Sequence, residues 1–175
     1  MKSVLVGVLL VAMLSAQGCN ALVSAVMYPR AGKFLRHSDA AAVFGIPMTL
    51  VDDSPDKYHP NVSSCLYKGN TSDGTQVRLR LDLAYLDADR IADVEKSWRY
   101  GKDSVEPKNL ETLPGIGESA WIVPRDSGHM LLVRLSNCYF VLTTEGISAH
   151  NERATRAALV QLSRSIANSL ATANG

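Results

Sequence analysis

The sequence has no excess of charge of either sign. It carries 18 basic and 17 acidic residues, and Lys2 lies in a segment that we expect to be removed, so the remaining chain is formally neutral. Nucleic-acid binding needs a concentrated basic surface to meet the phosphates. We therefore expect no nucleic-acid partner.

Residues that bind metals or perform nucleophilic catalysis are also scarce. There are three cysteines and four histidines, and no two histidines have the spacing of ligands on one helix or strand. No Gly-x-Ser-x-Gly sequence marks a hydrolase nucleophile. The glycines of Gly115-x-Gly117-x-x-Ala120 are followed by a predicted strand, where a dinucleotide site needs a helix. We predict no catalytic residues, no metal and no cofactor.

Long apolar runs are absent beyond residue 18. The run Val4–Leu14 follows Lys2 and precedes small residues, an arrangement typical of a secretory signal peptide. It is shorter than the roughly 20 apolar residues that a membrane-spanning helix needs. We expect residues 1–18 to be a signal peptide and the mature chain to have no transmembrane helix.

The end of this segment resembles the signal of bacterial lipoproteins, in which a small residue precedes an obligatory cysteine. Gly18 and Cys19 match that pattern. The resemblance implies that Cys19 is acylated, with palmitate among its acyl chains, and becomes the new N-terminus. Several acyl chains on one cysteine give stable membrane anchoring. Asn20, where the family has Asp for inner-membrane retention, implies the outer membrane on its periplasmic face, if the source is Gram-negative.

Two cysteines, Cys65 and Cys138, remain after lipidation of Cys19. An even pair in an oxidising compartment favours a disulfide bond. The alternative is two buried free thiols. We predict the disulfide, because the signal peptide determines the compartment.

The mature chain divides into a short tether and one domain. Residues 19–36 are predicted to form the lipid anchor and tether, with Arg30, Lys33 and Arg36 near the membrane. These three basic residues would allow contact with anionic headgroups, but a solvated linker is the favoured interpretation, because three spaced charges form a weak cluster. Residues 37–175 are enough for one domain with a core of its own.

The first half of this domain shows a helix, a loop and a hairpin. A short helix follows Ser38, and turn-forming residues predict a long loop over 51–61. Residues 62–68 and 76–86 read as two strands, and the second alternates apolar and polar side chains. This alternation is typical of an antiparallel strand with one buried face.

The second half contains two helical patterns with strands between them. Residues 87–101 have the helical period, and so do residues 151–171, with apolar side chains every three to four positions. Strands are predicted at 120–123 and within 130–144, as one or two strands. The fold class is therefore α+β: an antiparallel sheet of about four to five strands, with helices mainly on one face and an amphipathic C-terminal helix.

The mature domain is similar to small bacterial lipoprotein domains of unknown function that are abundant in actinobacteria. The resemblance rests on Cys65-Leu-Tyr67 in a strand, on the turn Gly115-Ile-Gly117-Glu-Ser-Ala120, and on the C-terminal amphipathic helix. It implies an α/β sandwich akin to the extrinsic P-protein of photosystem II. It implies no catalytic residues.

These observations predict a lipid-anchored envelope protein that acts as a binding or assembly module. Its partners would be the membrane, through Cys19, and another envelope protein, with Tyr58 and Tyr100 as a candidate contact surface beside loops. One alternative is a periplasmic hydrolase that uses His129 or His150. Another is a carrier of a small apolar ligand, which would need a closed apolar pocket.

Overall fold

The fold is built on one antiparallel sheet of seven strands, in the order β1-β2-β3-β7-β6-β5-β4. The computed structural model describes residues 28–57, 59, 61–86, 88–100, 110–148 and 151–174. Within these residues three α-helices accompany the sheet: α1 (His37–Phe44), α2 (Ala88–Tyr100) and α3 (Glu152–Asn174). The predicted α+β class is confirmed, but the prediction of four to five strands is wrong.

The predicted hairpin forms the second and third strands of the sheet, next to the edge strand β1. Strand β2 (Val62–Asn70) pairs antiparallel with β3 (Gln76–Tyr85). Every second residue of β3 from Val77 to Tyr85 is buried, while Arg78 and Arg80 are exposed on the opposite face. The exposed side chains are paired at the surface: Arg80 lies 2.8 Å from Asp82. The alternation of apolar and polar residues in the sequence therefore corresponds to one buried and one exposed face of β3, an interior strand of the sheet.

Strand β1 (Thr49–Pro55) overlaps the first five residues of the loop that we predicted over 51–61. It lies at one edge of the sheet and pairs only with β2, with a register shift between Leu50 and Asp52. Six of its seven residues are exposed, so no face of it imposes an apolar pattern. Aspartates and a terminal proline are tolerated at such an edge, because the outer backbone groups meet solvent.

The other half of the sheet is a meander. It consists of β4 (Glu111–Thr112), β5 (Ser119–Arg125), β6 (Gly128–Arg134) and β7 (Cys138–Glu145), and β7 pairs with β3. The region 130–144 thus holds parts of two strands. The two-residue strand β4, which the sequence did not predict, accounts with β1 for the larger strand number.

The main core lies between the sheet and two of the helices. Side chains of α1 and α3 join those of β2, β3, β5, β6 and β7 in one buried cluster. Four other buried apolar residues lie outside this cluster, namely Ala84, Ile91, Trp121 and Leu132. In the described part of the chain, no helix combines the length and the apolar composition that crossing a membrane requires.

The end of the segment predicted as a tether is part of this core. Ala31, in a short 3-10 turn (Ala31–Lys33), and Leu35 are fully buried. The Ala31 backbone N–H donates to Ser63 Oγ at 2.9 Å, and the Tyr67 hydroxyl donates to the Leu35 carbonyl at 3.3 Å. Both contacts hold the chain against β2, so the folded domain includes residues well before 37.

The predicted disulfide between Cys65 and Cys138 is wrong. Both are free, buried thiols. Cys65 on β2 lies opposite Leu81 of β3, and Cys138 on β7 lies opposite Tyr85 of β3. With β3 between them and an offset of four residues along it, their Cα atoms are about 16 Å apart. A disulfide requires Cα atoms within about 7 Å.

Candidate functional site

Most of the side chains predicted to be functional fall outside the described residues. Cys19, Tyr58 and His150 lie beyond them. Tyr100 is the last residue of α2, and its side chain is also outside the described part. The lipidation site and the candidate contact surface of Tyr58 and Tyr100 therefore remain predictions.

The edge strand β1 carries the most exposed apolar side chains of the described region. Leu50 is 48% exposed and Val51 is 50% exposed, and they are followed by the exposed carboxylates of Asp52 and Asp53. We call these four residues the β1 surface. Asp53 also accepts a hydrogen bond of 3.2 Å from the Gly32 backbone N–H, which ties the inner side of β1 to the 3-10 turn.

Local irregularity explains why two consecutive apolar residues are exposed there. Leu50 lies opposite Tyr67 and Asp52 lies opposite Leu66, so Val51 is the extra residue of a β-bulge. A bulge bends an edge strand and re-aims its side chains. Two adjacent apolar residues within a run of turn formers were the signal for this surface in the sequence, and our interpretation of 51–61 as a loop missed it.

Of the two histidines considered for the alternative of a hydrolase, His129 and His150, the structure describes His129. It lies on β6 and is 2% exposed. Its Nε2 is 3.7 Å from Glu152 Oε1 at the start of α3, and its Nδ1 is buried without a hydrogen-bond partner among the described residues. Burial lowers the pKa of this imidazole, and Arg156 lowers it further, against the opposing effect of Glu152.

The contacts of His129 are better suited to holding β6 against β7 and α3 than to catalysis. The backbone N–H of His129 donates to Thr144 Oγ1 at 2.9 Å, and that hydroxyl donates back to the His129 carbonyl at 3.3 Å. Thr144 is itself 1% exposed. A general base must come within hydrogen-bond reach of a substrate proton, and α3 covers this imidazole.

The two free thiols are expected to have low reactivity. Burial raises the pKa of Cys138 to about 12. Burial, together with the nearby carboxylates of Asp53 and Asp52, raises the pKa of Cys65 to about 12. Because the thiolate is the reactive form, neither cysteine is suited to act as a nucleophile or metal ligand. Within the described residues, no group of three or more His, Cys, Asp or Glu side chains is arranged to hold a metal ion.

Two cavities lie on the domain surface, and the walls of both mix polar and apolar groups. One, of about 550 Å³, lies between the N-terminal segment and α3, with Lys33, Arg36, Asp39, Ser165 and Ser169 in its wall. The other, of about 370 Å³, lies at the end of β3. Neither has the apolar lining that an apolar-ligand carrier needs.

Comparison with protein-family models, with curated protein sequences and with solved structures gives no match for this chain.

Proposed function

We propose that the protein is a membrane-anchored envelope lipoprotein that acts as a binding or assembly module. Lipid on Cys19 holds it to the membrane, on the periplasmic face of the outer membrane in a Gram-negative cell, and the domain binds another envelope protein. The observation that supports the binding role is the β1 surface. The anchor is supported by the sequence ending Gly18-Cys19.

The β1 surface combines two features of protein contacts. Single exposed apolar residues are ordinary, but Leu50 and Val51 are adjacent and lie on an edge strand, whose outer backbone groups are unpaired within the sheet. Charged residues and bulges at edges limit indiscriminate strand pairing. The partner surface is therefore apolar where it meets Leu50 and Val51 and basic where it meets Asp52 and Asp53.

A hydrolase receives less support from the geometry. His129 is covered by α3, and its described side-chain neighbours there are the Glu152 carboxylate, 3.7 Å away, and Arg156. A nucleophilic mechanism also requires a hydroxyl or thiol within reach of the imidazole, and the two described thiols have raised pKa values.

Site-specific photocrosslinking in intact cells tests the binding role. A photoreactive amino acid replaces Leu50 in one strain and the exposed Ala171 of α3 in a matched control. We expect a discrete crosslinked envelope protein from position 50 and none from position 171, and we expect Asp52→Lys with Asp53→Lys to abolish it. Equal crosslinking from both positions, or none from position 50, would contradict the proposal.

Metabolic labelling tests the anchor separately. Cells expressing the protein are fed [³H]palmitate, and the membrane fraction is compared for the wild-type protein and Cys19→Ser. We expect label and membrane retention only with Cys19. Equal label in the wild-type and Cys19→Ser proteins would show that the label is not on this residue.

A further inference from the structure

The segment before α1 carries three basic side chains on the outside of the folded domain. Arg30, Lys33 and Arg36 are exposed, whereas Ala31 and Leu35 between them are fully buried. We call the three basic residues the N-terminal patch. Because the residues between them are packed into the core, these charges belong to a folded surface and not to a solvated linker.

The cations of the N-terminal patch form no salt bridge within the described part of the chain, where the ion pairs involve other basic side chains. Two carboxylates lie beside the patch, and both accept backbone hydrogen bonds: Asp39 from the Arg36 N–H at 3.1 Å, and Asp53 from the Gly32 N–H at 3.2 Å. The three cations outnumber these two carboxylates. No acidic residue precedes Asp39 in the sequence, so the chain before the patch supplies no further carboxylate.

Two of the patch residues line the cavity between the N-terminal segment and α3. Its volume of about 550 Å³ is within the range of small-molecule sites. Lys33 and Arg36 supply its cations, Ser165 and Ser169 supply hydroxyl groups, and Asp39 is the acidic residue among the described lining. Ammonium and guanidinium groups bind phosphate through charge-assisted hydrogen bonds. The cavity therefore offers a phosphate group two cations that are not engaged in salt bridges within the described residues.

The distribution of charge along the chain separates the patch from the rest of the domain. All 17 acidic residues lie beyond residue 38, whereas four of the 18 basic residues precede it, so the rest of the chain has a net negative charge. Arg30 follows Cys19 by eleven residues, and a chain of that length spans at most about 40 Å. An anionic membrane surface would attract the patch and repel the rest of the domain.

We infer that the N-terminal patch docks the folded domain on anionic phospholipid headgroups, with headgroup phosphates bound at Lys33 and Arg36. Docking in this form rests on the proposed anchor, because lipid on Cys19 brings the patch to the membrane. It does not depend on the β1 surface.

Docking through the patch gives the domain one orientation on the membrane. The cavity beside the patch lies against the last turns of α3, with Ser169 in its wall. The turn between β2 and β3, which includes Ser72, meets the first turn of the same helix at Thr155. An α-helix rises 1.5 Å per residue, so Thr155 and Ser169 are about 20 Å apart along the axis. The turn between β2 and β3 is therefore expected to face away from the membrane.

Nitroxide labels on the mature, lipidated protein in vesicles test the docking. One label is attached at Ser38→Cys, beside the patch, and a matched label at Ser72→Cys, and both positions are exposed. Cys65 and Cys138 are buried and should stay unlabelled. Nickel chelated on a lipid headgroup relaxes a nearby nitroxide, so relaxation reports the distance of each label from the membrane.

The two labels should respond differently to lipid charge. In vesicles of phosphatidylglycerol and phosphatidylcholine, we expect strong relaxation at position 38 and weak relaxation at position 72. In phosphatidylcholine alone, or in the mixed vesicles at high salt, relaxation at position 38 should fall, because the attraction is electrostatic. Equal relaxation at the two positions, or relaxation at position 38 that does not depend on lipid charge, would overturn the inference.

Two charge-matched triple variants locate the contact. Replacement of all three patch residues by Gln should lower the ratio of docked to free domain at least about five-fold, the effect of one basic residue near an anionic surface. The control removes the same charge from three other exposed residues, by Arg78→Gln, Arg125→Gln and Arg153→Gln, and should leave docking unchanged. Equal losses would show a response to net charge and would overturn the patch. If the patch variant has a lower melting temperature, the dependence of the wild-type protein on lipid charge and salt decides.

Flotation of the same vesicles separates docking from the proposed anchor. The lipidated protein should float with neutral vesicles as well as with anionic ones, because acyl chains insert into either bilayer. Flotation without relaxation that depends on the patch would retain the anchor and overturn the docking. Failure to float with neutral vesicles would overturn the anchor, and with it the docking that rests on it.

Discussion

Strand β3 separates Cys65 from Cys138, so the two thiols lie on opposite sides of the same strand in the sheet, four residues apart along it. The sequence correctly indicated a pair of cysteines in one domain. It could not indicate their separation, because which strand lies between β2 and β7 depends on the order in the sheet.

This arrangement predicts that Cys65 and Cys138 are free thiols in the protein, in addition to Cys19, for which we propose acylation. Maleimide should add to neither cysteine in the native protein, because both are buried and their pKa values are raised to about 12. It should add to both after denaturation without a reductant, as measured by intact mass. Cys65→Ala and Cys138→Ala should each remove one adduct. Labelling that appears only after reduction would contradict the structure.

The sequence predicted those elements well whose side chains face two different environments. The alternation over residues 76–86 indicated β3 because one of its faces is buried and the other bears paired charges. The helical period over 151–171 indicated α3, in which Leu159, Leu162, Ile166 and Leu170 are buried, although Ala154 is exposed. In both cases the buried residues repeat along the sequence with the period of the element, every second residue in the strand and every third or fourth in the helix.

His129 predicts a loss of stability in mild acid. Burial holds its pKa below the ordinary 6.5 in the folded protein, while the unfolded chain has the ordinary value. As the pH falls below about 6.5, the unfolded state binds a proton that the folded state resists, so the free energy of unfolding decreases until the pH reaches the folded pKa. Each unit of difference contributes about 1.4 kcal/mol.

Urea unfolding at a series of pH values between neutrality and mild acid measures this effect. His129→Gln should make the free energy of unfolding less dependent on pH in this range. His59→Gln, at an exposed position, is the matched control and should behave like the wild-type protein. If the two variants show the same pH dependence, His129 is not the responsible group.

The position of Gly128, where β6 meets β7, leaves no room for a side chain. A Cβ atom at this position would collide with the carbonyl oxygen of Thr144, a backbone atom that cannot move away cheaply. Gly128→Ala should therefore lower the free energy of unfolding by about 1–3 kcal/mol. Gly74 has a φ of 84° and no atom within 4 Å of an added Cβ, so Gly74→Ala should cost only backbone strain, about 1 kcal/mol. Chemical denaturation of both variants measures the difference, and a smaller effect at Gly128 would contradict the close contact.

The parts of the structure that the sequence did not predict lack such a pattern. Strand β1 is exposed on nearly all of its residues, so its sequence reads as turn formers, and the exposure of Leu50 and Val51 follows from the bulge. The cavity beside Tyr85 draws on Tyr28 and Asn137, which are more than 100 residues apart in the chain. No local pattern indicates that the buried Tyr85 hydroxyl has no hydrogen-bond partner among the described residues, since that depends on all the segments around it.

Leu35 predicts that the segment before α1 is essential to the fold, although the sequence assigned it to the tether. The side chain is fully buried in the main core. Leu35→Ala should lower the free energy of unfolding by about 2–5 kcal/mol, from lost burial and the cavity that remains. Leu50→Ala makes the same chemical change at a residue that is 48% exposed and should alter stability by less than about 0.5 kcal/mol. Urea unfolding of the two variants decides whether the domain begins before residue 36, because a tether residue would give two equal and small effects.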